Sequence, residues 1–595
     1  MAKEKKKSRM AEFEKYAEGR HHFVTIAMLG AAASAILSVA PFYYIWLIIN
    51  ESLGNCDTDL MIGYGWMALA FALLSLLVYI AALMMSHLAA FRISKNLKKT
   101  MITHVMSLSP GALDEEGSGR VRRIIQDSVE STHTYIAHNQ PDLASTFALP
   151  VAIIALLFLF DWRFALAALI PVILGIYMAV GMLGREKLKE STVQWQNAME
   201  DVNNKAVEFV RGISVVKIFQ QTVDSFQSLK GSIDRYSDFC QNYTKMARPH
   251  MSGMFTLINS CGAFIIAMAV VIIEFFNEGV VSTEVTVNAI FYVTFTPIIS
   301  VLMMRILSIS DQTYKVDDAI ARVNGLLSLR PLTEPEVSEE PEGYSISFKD
   351  VRFSYSDDAA PAVDGVTVEM KQGTVTALVG PSGSGKSTMA GLVARFWDPQ
   401  EGTVSIGGKD LKSISSKSIR GFESYVFQNN HLIKGTLLEN VRLGKPDATE
   451  QEVAEALESA QCDDIVRKMP QGLDTVIGPG GVYLSGGEVQ RVSIARAILR
   501  NAPIVILDEA TAFADPENEH LIQKALEKLA KGRTVLLIAH RLTTVRNADM
   551  ICVMDHGRII ESGSHDELIS VSGKYSSMWE DYQKALSWKV KGVSA

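Results

Sequence analysis

Residues Gly380-Pro381-Ser382-Gly383-Ser384-Gly385-Lys386-Ser387 satisfy the spacing G-x-x-x-x-G-K-[ST] at every fixed position. The apolar, β-prone run Val375 to Val379 precedes them, and the helix-compatible stretch Thr388 to Arg395 follows. In that order, glycine backbones wrap N–H groups around phosphate oxygens at a helix N-terminus, where the dipole favours negative charge. Lys386 is then placed for the β- and γ-phosphates of a nucleoside triphosphate, and the Ser387 hydroxyl for Mg2+. Further along, Ile504-Val505-Ile506-Leu507-Asp508-Glu509 reads as a buried parallel strand ending in two acids. Asp508 suits the Mg2+ side of the site, directly or through water. Glu509, one residue on, suits accepting a proton from an attacking water.

Between the loop and the acids lies Leu484-Ser485-Gly486-Gly487-Glu488-Val489-Gln490-Arg491. A segment of this kind, so placed, resembles the ATP-binding cassette family, and the likeness covers the second half of the chain. It implies ATP and Mg2+ as ligands, held by Gly380 to Thr388, with Ser387, Gln428 and Asp508 on the metal side. By the same resemblance Gln428, in Val426-Phe427-Gln428-Asn429, links Mg2+ and water to the membrane part. His540, in Ala539-His540-Arg541, contacts the γ-phosphate, and Tyr355 stacks on adenine. Lys386, Gln428, Glu509 and His540 form the implied catalytic set.

Ser485, Gly486, Gly487 and Glu488 open a helix whose hydroxyl and N–H groups suit a γ-phosphate. In the family these groups face the ATP of a partner subunit, so two nucleotides lie between two head-to-tail ATPase domains. Asp515 is expected at that seam. The family usually has Ser-x-Leu-Asp there, so Ala512 and Ala514 are departures.

Something must carry this ATPase, and the composition says where. Hydrophobic residues make up 48% and charged residues 21%. The long apolar runs fall between Met1 and Met304. Spanning a bilayer takes ~20 mostly apolar helical residues. Six segments qualify: Phe23 to Asn50, Leu60 to Phe91, Ser131 to Phe160, Phe164 to Gly184, Pro249 to Ile273 and Val285 to Met304. The connections Glu51 to Asp59 and Glu274 to Glu284 contain no Lys or Arg and Asp161 to Arg163 contains one, whereas the start, the Arg92 to Arg123 and Arg185 to Arg248 regions and the chain beyond Arg305 are rich in them. Both termini are therefore expected in the cytoplasm of a multi-pass protein of the cell membrane. A net charge of −8 without a basic stripe argues against nucleic acid as a partner. The basic start, Lys3 to Arg9, is not followed by a short apolar core and cleavage site, so no cleaved signal peptide is expected. Cys56, Cys240, Cys261, Cys462 and Cys552 are scattered, without the pairing of a metal site or disulfide framework.

The expected fold class is an all-α six-helix transmembrane domain followed by an α/β P-loop ATPase domain. Its parts are a cytoplasmic N-terminal segment (1–22), a transmembrane domain with long cytoplasmic extensions (23–325), a linker (326–344) and the nucleotide-binding domain (345–595). Pro331, Pro335 and Pro341 with several glutamates mark the linker as extended and solvated. The connection Arg185 to Arg248 reads as two helical arms of ~30 residues, each ~45 Å long. At its middle, Arg211 to Phe219 resembles the family's transverse coupling helix, and Pro110 to Gly119 turns the corner of the first inner connection in the same way.

Together these features resemble a half-transporter of the exporter fold, working by alternating access with a second half-transporter subunit. The partner is an identical or a different chain, with a slight lean to the latter. The small-molecule substrate is weakly encoded. Candidate cavity groups are His87, Asp142, Arg248, His250, Asn259, Asn288 and Arg305, because polar residues inside a membrane carry a functional presumption. The run from Asp508 to Glu519 resembles the subgroup that takes up metal-loaded siderophores such as yersiniabactin and mycobactin. Export of drugs, lipids or peptides is the alternative, with an ATP-gated channel or regulatory membrane ATPase behind it.

Overall fold

A computed structural model of the chain describes residues 9–183, 186–218, 227–356, 359–428, 430–478, 480–508, 516–539 and 542–591. It divides into two compact units. Met1–Thr103 with Arg122–Leu327 form one, and His104–Val121 with Ser328–Ala595 form the other.

The described part of the first unit is helical. His21–Leu53, Thr58–Ser107 and Ser118–Phe160 are long and apolar enough to cross a membrane. Gln227–Asn259 and Cys261–Phe276, bent by 43° at their junction, count as a fourth if taken together, and Trp162–Met178 and Thr283–Ile299 are shorter apolar helices. The six apolar segments of the sequence overlap these helices. Thr58–Ser107 shows how they pack. Ser75, Ala82, Ser86, Ala89, Ala90, Ile93, Ser94, Leu97 and Met101 form its buried stripe. Small residues at helical spacing allow close helix approach in lipid. Leu73, Leu74, Leu76 and Leu77 are exposed on the same helix, a surface suited to hydrocarbon rather than water. Beyond the apolar helices, Glu186–Arg211 and Gln227–Asn259 run alongside one another as the two expected arms. Asp201 ties them, accepting from Ser232 Oγ and Arg235 Nη2, each at 2.6 Å. A short helix, Ile213–Ile218, occupies the expected coupling segment, whose Phe219 lies outside the described residues.

Among the described residues, twelve strands organise the second unit: β1 Ile346–Phe353, β2 Val363–Met370, β3 Val375–Val379, β4 Glu401–Ile406, β5 Lys409–Asp410, β6 Glu423–Val426, β7 Gly435–Thr436, β8 Val476–Ile477, β9 Ile504–Asp508, β10 Thr534–Ile538, β11 Met550–Asp555 and β12 Arg558–Gly563. They form a four-stranded sheet (β2-β1-β4-β5), a six-stranded sheet (β12-β11-β3-β10-β9-β6) and the pair β7-β8. Within the six-stranded sheet all neighbours are parallel except β11 and β12. Its central strands β9 and β10 are buried at every position, as continuous β-branched and leucine runs dictate when both faces are covered. One core lies on the side of the helix Gly486–Arg500, and the other joins the two sheets around Phe348, Met389 and Ile406.

Two further pieces belong to this unit. The chain between Ser328 and β1 is extended as the prolines require and stays largely solvated, and it is pinned at three points. Arg395 Nη2 donates to Thr333 O at 2.8 Å, Ser416 N to Glu334 Oε2 at 2.9 Å and Glu339 N to Ser413 O at 3.0 Å. The expectation of a solvated linker missed these partners because they come from distant sequence. The other piece is the corner helix Pro110–Glu116, started by the Ser109 hydroxyl, which accepts from Ala112 N at 3.3 Å.

Candidate functional site

The phosphate loop leaves the buried end of β3 and enters the helix Lys386–Val393. Its glycines are there for backbone reasons. Gly380 has φ +146°, and a Cβ at that position would lie 2.1 Å from Met554 O. Gly385, the N-cap, has φ +101°, and a Cβ would lie 2.2 Å from Ala362 O. Only glycine fits this close approach. Lys386 is buried and its ammonium turns back across the loop, donating to Pro381 O at 2.8 Å, Gly380 O at 3.1 Å and Ser384 Oγ at 3.4 Å. A cation thus sits over the ring of backbone, where phosphate oxygens would meet it.

Asp508 closes the other side. Ser387 Oγ donates to Asp508 Oδ1 at 3.4 Å, and Tyr425 OH to Asp508 Oδ2 at 3.3 Å. Tyr425, in β6, was not singled out from sequence; it sits three residues before Gln428, at the strand end facing Asp508. Thr388, on the first turn of the loop helix, shares a 2.8 Å hydrogen bond between its hydroxyl and Tyr355 OH. Tyr355 is 46% exposed, leaving a ring face open to a base. Gln428 follows β6 on the surface. The structure therefore brings Tyr355, the loop Gly380 to Thr388 and Asp508 together. Glu509, Asp515 and His540 lie outside the described residues.

Ser485 to Glu488 form a second cluster with its own supports. Ser485 is the N-cap of Gly486–Arg500, and Glu488 completes a capping box. Ser485 N donates to Glu488 Oε2 at 2.9 Å, and Glu488 N to Ser485 Oγ at 3.4 Å. Burial works against the Glu488 carboxylate, but the Ser485 N–H and the Lys468 ammonium, 3.2 Å from Oε1, hold its pKa below the ordinary value. Arg491, 1% exposed, anchors the helix from behind through a fork on Asp464, at 2.6 Å and 2.9 Å. Hydrogen bonding to Arg491 is the main reason the Asp464 carboxyl also sits low. Lys468 and Asp464 escaped sequence reasoning because they lie on the separate helix Asp463–Lys468. The result is a rigid helix start whose half-buried serine and exposed Gly486 remain accessible.

The polar candidates of the first unit are more varied. Asn288 is buried and accepts from Trp46 Nε1 at 2.9 Å. Asp142 accepts from Tyr79 OH at 3.0 Å, and Asn259 Nδ2 donates to Phe255 O at 2.8 Å. Arg248 is exposed and His250 half-buried, while nothing is described of the Arg305 side chain. His87 lies beside His138 and His133, with ring centroids 4.8 Å and 5.6 Å away. Among the described residues no group of three or more His, Cys, Asp or Glu has the arrangement to hold a metal ion. The described cysteines are free thiols.

Comparison with known proteins adds to this geometry. Residues 363–512 match the family described as ABC transporter, and residues 24–298 match the ABC transporter transmembrane region. The chain is 33% identical, over 93% of its length, to the mycobactin import ATP-binding/permease protein IrtA of Mycolicibacterium smegmatis, and spans 63% of that longer protein. It is 33% identical to the ATP-dependent lipid A-core flippase of Photobacterium profundum, over 82% of each chain. Among solved structures, a bacterial Atm1-family ABC exporter with ATP bound shares the fold, with TM-score 0.72 and 24% identity, over 93% of this chain and 98% of that one.

Proposed function

We propose, from the premise that this chain belongs to the ATP-binding cassette transporter family, that it is one half of an ATP-driven transporter that imports a metal-loaded siderophore. The observation that carries the energetic part is the convergence of Lys386, Ser387 and Asp508 on one loop in a chain that also has membrane-length apolar helices. The hard oxygens of Ser387 and Asp508, 3.4 Å apart, fit a Mg2+ ion. Held by these residues, Mg2+ would supply charge neutralisation to the phosphates.

The chain's own residues do the rest. The loop N–H groups and Lys386 bind and orient the triphosphate. Tyr355 offers its ring to the adenine. Glu509 accepts the proton of the attacking water, and His540 and Gln428 orient water and γ-phosphate. Ser485, Gly486 and Gly487 present their hydroxyl and N–H groups to the nucleotide of a partner subunit, so closing the junction requires two chains. We place both termini in the cytoplasm, six spans between residues 23 and 325, a linker at 326–344 and the ATPase at 345–595. Reopening after hydrolysis is transmitted through Ile213–Ile218 and Pro110–Glu116 to the spans.

Import of a siderophore rests on likeness to a protein named for mycobactin import across 93% of this chain. The partner is a second half-transporter subunit, an identical or a different chain, with a slight lean to the latter. The test is uptake of a radiolabelled ferric siderophore into cells expressing this chain with its partner. Uptake abolished by Lys386→Ala supports the reading. ATP-dependent accumulation of lipid or drug in inside-out vesicles, with no siderophore uptake, would replace it with export.

A further inference from the structure

We propose that Trp397 is a positioning residue that ties the adenine platform to the corner helix Pro110–Glu116. Occupancy of the base site, and not only of the phosphate loop, would then be felt by that helix. The inference rests on the reading of Tyr355 as the adenine platform.

The indole of Trp397 is clamped between two glycines. A Cβ at Gly111, in the corner helix, would lie 2.2 Å from Cε2 and 2.4 Å from Nε1 of the indole. A Cβ at Gly391, in the phosphate-loop helix, would lie 2.6 Å from Cζ3. Each backbone therefore touches the ring at a distance no other residue type permits. The indole N–H is fixed as well, with Trp397 Nε1 donating to Glu115 Oε1 at 3.2 Å.

The same ring meets Tyr355 edge-on, with centroids 5.3 Å apart and planes at 89°, and Phe353 at 5.6 Å. Tyr355 is held in turn by its hydroxyl bond to Thr388 on the loop helix. Close-packed interiors transmit displacement because they have little free volume to absorb it. Backed by the loop helix, a rigid plate that touches both the adenine platform and the corner helix passes displacement of the first on to the second. A base stacking on Tyr355 changes that contact, whereas a bare phosphate chain on the loop does not.

Hydrogen–deuterium exchange on the full transporter, assembled with its partner subunit, tests this. Exchange of the peptide spanning residues 108–117 is compared with no ligand, with Mg-ADP and with Mg-tripolyphosphate, which has the phosphate chain but no base. Mg-ADP is expected to slow exchange there by about threefold or more, and tripolyphosphate to leave it unchanged. Trp397→Ala should abolish the ADP response while ADP still binds by equilibrium dialysis. Trp397→Phe keeps a ring but lacks the N–H to Glu115. It should at least halve the response, and it decides the matter if the alanine variant does not fold. An undiminished response in Trp397→Phe, equal protection by tripolyphosphate, or no response in wild-type protein that binds ADP would each overturn the proposal. Wild-type protein that binds no nucleotide would instead sink the ATPase reading on which it rests.

Discussion

Ser387 and Asp508 lie 3.4 Å apart across 121 residues of sequence because one strand fixes both. In β10, Ile538 is in register with Leu378 on one side and with Asp508 on the other. The loop that follows β3 and the acid that ends β9 therefore emerge at the same level of a parallel sheet, where ligands bind in α/β folds.

Asp508→Asn keeps the shape of that side chain and removes its charge. Nucleotide binding should lose its dependence on Mg2+, and hydrolysis should fall by about 100-fold or more. Titration of ATP with and without EDTA checks this; a variant that keeps Mg2+-dependent binding would move the metal site elsewhere.

The loop glycines should differ in cost. Gly380→Ala meets Met554 O at 2.1 Å, a backbone atom held in β11 that cannot step aside. Gly383 has φ +79° but nothing within 4 Å of an added Cβ. Gly383→Ala should therefore cost only the left-handed penalty of about 1–2 kcal/mol, and Gly380→Ala clearly more. Thermal denaturation of the two purified variants gives the order, and a reversed order would contradict the packing described.

At the helix start Gly486–Arg500, Glu488→Gln keeps a side chain able to complete the capping box, losing only charge attraction to the exposed Lys468. Ser485→Ala removes the cap itself, at a cost of about 1 kcal/mol, and removes the hydroxyl proposed to face the partner's nucleotide. The glutamine variant should retain hydrolysis and the alanine variant should not. Steady-state ATPase and melting temperatures of both separate the two roles.

Glu423 gives a pH signature. Burial pushes its carboxyl well above the ordinary value, and Arg500 and Arg420 offset this only in part. One carboxylate oxygen, Oε1, has no hydrogen-bond partner. Because the folded state holds the proton to higher pH than the unfolded chain, this stabilising contribution is complete below about pH 4 and is lost as pH rises through the raised value. Glu423→Gln should therefore raise Tm by roughly 2–4 °C at pH 8 and by less at pH 5.5. Equal shifts at the two pH values would mean that the carboxyl is already paired.

Much of this site was legible because its chemistry is local. Gly380 to Ser387 and Ser485 to Glu488 carry their patterns in consecutive residues, and a continuous apolar run announced the strand Ile504 to Asp508. What escaped was contact between distant segments. Tyr425 on Asp508, Lys468 on Glu488 and Trp397 under Gly111 depend on which strands and helices become neighbours, and no local pattern encodes that. The apolar segments were legible by length alone, but the 43° break after Asn259 was not. Ser260 is an ordinary serine in sequence, and only in the fold is its φ/ψ of −85°/1° seen to interrupt the helix.

The most direct test of the account is ATP turnover by the purified transporter, reconstituted in lipid with its partner subunit, comparing wild type with Glu509→Gln. The variant should bind and retain ATP while steady hydrolysis at its own site falls by about 100-fold or more. Hydrolysis at the wild-type rate by Glu509→Gln would contradict it.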